Sequence, residues 1–120
     1  MALSDINTKP TQEMADEAAQ GLEWREEFGR GGTEVGVARA RDIKNRANLS
    51  IRTVKRMYSY LSRHEVDKEG QGFYSGDEGY PSAGRIAWAL WGGDPGFAWT
   101  KRKIAEIEKE EKSNNMKIKK

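Results

Sequence analysis

Apolar residues recur at helical spacing in five stretches of this chain and alternate nowhere long enough to make a convincing strand. In the first stretch Met14, Ala18 and Leu22 repeat at i+4, with Phe28 near the same face. Pro10 suits a first helical turn, and Glu13, Asp16 and Glu17 suit the positive end of the helix dipole. Gly21 is a weak point inside this helix, and Gly29 and Gly31-Gly32 predict its stop, so the first helix covers residues 10–28. In the second stretch Val35, Val37, Ala40, Ile43 and Ala47 line one broad face, which predicts a helix over 34–47. Asn48 fits a left-handed stop and Ser50 fits the cap of a third helix. Its buried stripe is Val54, Met57, Tyr58 and Leu61, and it ends near Arg63-His64.

Residues 65–81 hold four glycines and a proline and read as a long loop, a length often tied to function. Phe73, Tyr74 and Tyr80 could anchor it. Ser82 caps a fourth helix, 83–91, that is apolar nearly all round and so central to the core. Gly92-Gly93 stop it, and Asp94-Pro95 cap and open a fifth, 95–111. The expected fold is all-α: a small five-helix orthogonal bundle containing a helix-turn-helix-like hairpin. Residues 1–9 read as a disordered N-terminus, 10–111 as one helical domain and 112–120 as a basic disordered tail.

Composition narrows the class. At 120 residues, 36% hydrophobic and 33% charged, the chain has a thin core under a charged surface, enlarged by its four Trp, four Tyr and three Phe. No apolar run reaches the roughly 18 residues of a membrane span, and the N-terminus lacks a secretory core, so the protein reads as soluble and intracellular. The absence of Cys excludes disulfides and thiolate metal sites. Net charge is only +2, but residues 39–64 alone carry +7 between acidic blocks of −5 (11–34) and −4 (65–96). A basic block of this kind points to an anionic partner. The plainer reading is that the acidic first helix packs beside the basic hairpin.

The hairpin carries the candidate chemistry. Ile51, Arg52, Lys55 and Arg56 would enter a nucleic-acid groove at the start of the third helix, with Ser50, Ser59 and Arg63 on or beside the same face. Arg39, Arg41, Lys44 and Arg46 would hold phosphates from the second helix. An ordinary helical hairpin with a solvated basic face would carry the same residues.

Other motifs say less. Trp88, Trp91, Trp99 and Trp24 could stack bases, but tryptophans spaced among Ile, Ala and Leu read as core. The glycines of 29–36 open a helix yet lack the Lys-Ser/Thr ending of a phosphate loop, so they read as a tight turn. His64, the only His, reads as a helix-end residue. No nucleophile–base pair or metal-ligand set stands out, which predicts a non-enzyme without cofactor or metal.

Residues 42–57, D-I-K-N-R-A-N-L-S-I-R-T-V-K-R-M, resemble the helix-turn-helix of bacterial repressors of the lac type. Lys44 is the departure, because the position after Ile43 is normally small there. A wider resemblance covers residues 10–102 and is most distinctive in R-M-x-S-Y-x-x-R-H and A-W-A-L-W-G-G-D. It is to a small domain of tailed bacteriophages and marine viruses, found alone or beside head-maturation protease genes. The resemblance implies viral origin, a place in the host cytoplasm or the virion, and a link to head assembly or DNA packaging. It supplies no catalytic residues. The expected partners are nucleic acid, DNA ahead of RNA, or phage structural proteins, and no membrane.

Overall fold

The computed structural model describes residues 3–118, with side chains described through residue 114. Five helices follow in order: α1 Gln12–Phe28, α2 Glu34–Lys44, α3 Ile51–His64, α4 Ala83–Leu90 and α5 Gly93–Ile118. Two 3-10 turns, Leu3–Asp5 and Glu65–Glu69, accompany them, and no strand occurs among the described residues. The all-α expectation with five helices holds.

Local chemistry explains the boundaries. Thr11, not Pro10, starts α1: its hydroxyl accepts the Met14 N–H at 3.3 Å. Gly29 ends α1 in the left-handed region, with φ 63°. Gly21 is more than a weak point. A Cβ there would lie 2.8 Å from the backbone nitrogen of Leu90, so the glycine sets how closely α1 and α4 approach. Its propensity deficit of about 1 kcal/mol is offset by that packing. Ser82 caps α4 through the Arg85 N–H.

The connection between α2 and α3 departs from expectation. α2 stops at Lys44 rather than at 47, and the left-handed residue is Arg46 (φ 52°), not Asn48. Two tethers hold Arg46 and its neighbours in that shape. The Arg46 Nε donates to the Pro10 carbonyl at 2.8 Å, and the Leu49 N–H donates to the Thr8 carbonyl at 3.2 Å. The connector thus runs over residues 45–50, longer than the three or four residues of a helix-turn-helix turn. Val35 and Ala47 are exposed rather than core. α2 packs on α1 and α4, α3 packs chiefly on α5, and α2 and α3 barely touch each other.

Both ends are more ordered than the composition suggests. Ile6 and Thr8 are buried, and the Leu3–Asp5 turn packs on α5, so residues 3–9 belong to the domain. α5 continues past Glu111 to Ile118, because no glycine or proline interrupts the chain after Gly96. At 26 residues it is about 39 Å long. The molecule measures 59 Å along its longest axis and 27 by 21 Å across. Residues 119 and 120 of the expected basic tail lie outside the described residues.

The core joins the two helix groups through Met14, Ile43, Met57, Leu61, Trp88, Leu90 and Ile107. Trp88, Trp91 and Trp99 are buried, as their spacing indicated. Asp94 is not the cap of α5 but lies in its first turn, where it accepts from Trp88 Nε1 at 3.0 Å and from Lys68 at 2.8 Å. The 65–81 loop is partly 3-10, buries Phe73, and is pinned where Arg30 donates to the Pro81 carbonyl at 2.9 Å.

Candidate nucleic-acid interface

α3 positions the most regular set of cations. Ser50 caps it, accepting the Thr53 N–H at 3.0 Å and donating to the Thr53 hydroxyl at 2.9 Å. Val54, Met57 and Leu61 are fully buried and fix the helix rotation. Arg52, Arg56, Ser59 and Arg63 then fall on the opposite stripe at i, i+4, i+7 and i+11, all exposed. The stripe spans about 16 Å. None of its three arginine side chains makes a hydrogen bond or ion pair among the described residues.

This stripe forms one wall of a groove of about 510 Å³. Thr33 and Val35, from the start of α2, form the facing wall, and Tyr60 and Trp91 close the floor. Lys55 completes the lining. Four cationic residues therefore surround this space and no carboxylate does. The floor is rigid. Tyr60 is stacked on Trp91 at 4.3 Å and on His64 at 4.2 Å between ring centroids. Burial first, and the nearby Asp67 charge second, raise the Tyr60 hydroxyl above its ordinary pKa, against a smaller lowering by Arg63. Tyr60 therefore stays neutral and able to donate at the groove floor.

The residues singled out from sequence divide into four groups. Arg52, Arg56 and Arg63 line the groove together. Lys55 reaches it but also pairs with Glu111 of α5 at 2.6 Å, both side chains being near 40% exposed (45% and 39%). Arg41 and Lys44 are exposed but lie on the far flank of α2, where Arg41 borders Leu22 and Glu26.

The remaining four are structural and correct the expectation. Arg39 pairs with Asp42 at 3.1 Å and lies over the Trp91 ring, because its position on α2 turns it toward the core edge. Arg46 is spent on the Pro10 carbonyl. Ile51 packs against the core instead of entering a groove. Ser50 has its hydroxyl engaged in the cap. Sequence reasoning missed Val35 and Tyr60 as groove-forming residues, and it weighed Trp91 as a base-stacking ring but read it as core. Tyr60 lies four residues after Arg56, so its nearness to the stripe was readable, whereas Trp91 comes from a helix end far along the chain.

A second hollow lies under the loop before α4. It measures about 280 Å³ and is lined by Phe73, Tyr74, Tyr80 and Trp88 together with Glu17, Arg85 and Asp94. Here the charges are matched. Arg85 meets Glu17 at 2.6 Å and sits over the Trp24 and Phe73 rings. Lys68 meets Asp94 and lies over Trp88. Burial alone would raise the Asp94 pKa, but hydrogen bonds from Lys68 and Trp88 and the charges of Lys68 and Arg85 outweigh it and lower the value.

Among the described residues no group of three or more His, Asp or Glu could hold a metal ion, and no helix is long and apolar enough to cross a membrane. Comparison with family models, with curated proteins and with solved structures gave no match.

Proposed function

We propose that the protein is a non-enzymatic nucleic-acid-binding domain of viral origin, acting in the host cytoplasm or the virion, that grips phosphates with the outer stripe of α3. One observation carries the reading: the α3 groove is lined by Arg52, Lys55, Arg56 and Arg63 and by no acidic side chain. Unpaired arginines around a concave surface cost self-repulsion, which a polyanion relieves. Arginine also fits phosphate with its planar fork. The contact is made by three arginines and a shared lysine, not by the ten residues that the hairpin pattern suggested. Arg41 and Lys44 would act only on a partner large enough to wrap α2.

Salt tests it. Three phosphate contacts on duplex DNA give a slope of log affinity against log salt near −2.7. Between 50 and 200 mM salt, binding should weaken roughly 40-fold. Replacing Arg52, Arg56 and Arg63 together with Gln should abolish that dependence while the circular dichroism spectrum is retained. Absence of binding to DNA and RNA at 50 mM salt rejects the reading.

A second reading is a docking module for phage structural proteins in head assembly. What favours it is the exposure of Val66 and Tyr74 in the loop region and of Phe28 on α1, away from the groove. Such a contact would respond little to salt.

A further inference from the structure

We infer that the α3 groove receives an unpaired nucleobase, so that the protein prefers single-stranded nucleic acid to duplex. The inference rests on the phosphate-binding reading above and names the form of polymer that the same site takes.

The first argument is shape. A recognition helix must stand proud of its neighbours to enter a major groove about 12 Å wide. The arginine stripe of α3 borders a hollow instead. It is one wall of a trough whose other wall is Thr33 and Val35. The connector of residues 45–50 and the near absence of contact between α2 and α3 produce this separation. A duplex backbone could rest on the rim, but only a flexible strand can put a base inside.

The second argument is size and lining. About 510 Å³ lies within the roughly 300–1,000 Å³ of small-molecule sites, and phosphate contact alone needs no such space. The interior offers apolar surface at Val35, which is 56% exposed. An apolar side chain left open between cations fits a ligand with a flat apolar body and an anionic edge. A nucleotide has both.

The third argument identifies the stacking partner. Both faces of Tyr60 are already covered, by Trp91 and His64. An entering base therefore cannot intercalate at the aromatic floor. The planar groups still open are the guanidiniums of Arg52, Arg56 and Arg63, which make no hydrogen bond or ion pair among the described residues. Unpaired bases stack on arginine planes as well as on aromatic rings. In this arrangement the arginine supplies a plane as well as a charge, and lysine cannot replace it.

The test is a fluorescence anisotropy titration of the full chain at one fixed low salt. The three probes are a 20-nucleotide thymidine strand, a random duplex of 20 base pairs, and a 20-nucleotide strand whose central residues are abasic. The thymidine strand should bind about tenfold tighter than the duplex, although the duplex has the denser charge. The abasic strand, with equal charge and fewer bases, should lose most of that advantage. Arg56→Lys and, separately, Val35→Glu alter exposed positions and should each lower the strand-to-duplex ratio at least threefold. Equal or tighter binding of the duplex overturns the inference while leaving the phosphate reading intact. So does equal binding of the abasic and thymidine strands. If no polymer binds and an acidic amphipathic peptide does, both readings fall.

Discussion

The groove along α3 and the cavity under the loop before α4 are built from the same materials, aromatic rings and cations, and they differ in one respect. Around the cavity each cation has its carboxylate: Arg85 has Glu17 and Lys68 has Asp94. Around the groove Arg52, Arg56 and Arg63 have none among the described residues. The matched set is closed over by Phe73 and ties α1 to α4 and the loop. The unmatched set stays in water. A cation's neighbours thus separate paired from unpaired cations better than its position in a basic run does. Arg39 and Arg46 belong to the basic block by sequence and to the structural class by contact.

The largest expected effect breaks the matched set. The Arg85 and Glu17 side chains are only 17% and 20% exposed, so Arg85→Ala leaves a poorly solvated carboxylate without a partner and strips two rings of their cation. Breaking a half-buried pair of this kind costs about 1–3 kcal/mol, which a urea unfolding curve would register as a clear drop in midpoint. Arg52→Ala, measured beside it, should change stability by no more than about 0.5 kcal/mol. If the two variants unfold alike, the division into structural and unpaired cations carries no energetic meaning.

That division also marks what the sequence could convey. Patterns confined to one helix were legible. Val54, Met57 and Leu61 determine which way α3 faces, and from that Arg52, Arg56 and Arg63 had to point outward together. Ser50 was legible as a cap for the same reason. Contacts across the chain were not. Lys55 meets Glu111 because α5 packs along α3, and Arg85 meets Glu17 across the α1–α4 packing. The turn misled because Asn48 has the better intrinsic preference for a left-handed conformation. Arg46 took it because its guanidinium could reach the Pro10 carbonyl. Asp94 before Pro95 looked like a helix cap. Trp88 and Lys68, brought there by α4 and the turn after α3, claimed its carboxylate instead.

A smaller effect probes the second matched pair by pH. The Asp94 pKa is lowered in the fold, so the native state favours the ionised carboxylate. Its contribution to stability is complete above the ordinary aspartate range and is lost as pH falls through that range to the lowered value. Asp94→Asn should cost no more than about 1 kcal/mol at neutral pH, since the carboxylate is largely exposed. The variant and the parent protein should converge in unfolding midpoint at acid pH. A gap that persists there would mean that the carboxylate's charge is not what holds Lys68 and Trp88.

The finest test moves one residue between the two classes. Lys55 lines the groove yet is held by Glu111 at 2.6 Å, in a pair exposed enough that its loss should change stability by only a few tenths of a kcal/mol. Glu111→Gln removes the competing charge without shortening the side chain. Lys55 then joins Arg52, Arg56 and Arg63 as an unpaired cation. If unpaired charge at this groove is what binds phosphate, duplex affinity should rise at low salt. The salt slope should steepen by about 0.9, one phosphate's worth, because Lys55 no longer exchanges one anion for another. The double variant Glu111→Gln, Lys55→Gln should return the slope to or below the parent value. An unchanged slope in the single variant would place the polymer elsewhere on the molecule, however tightly it bound.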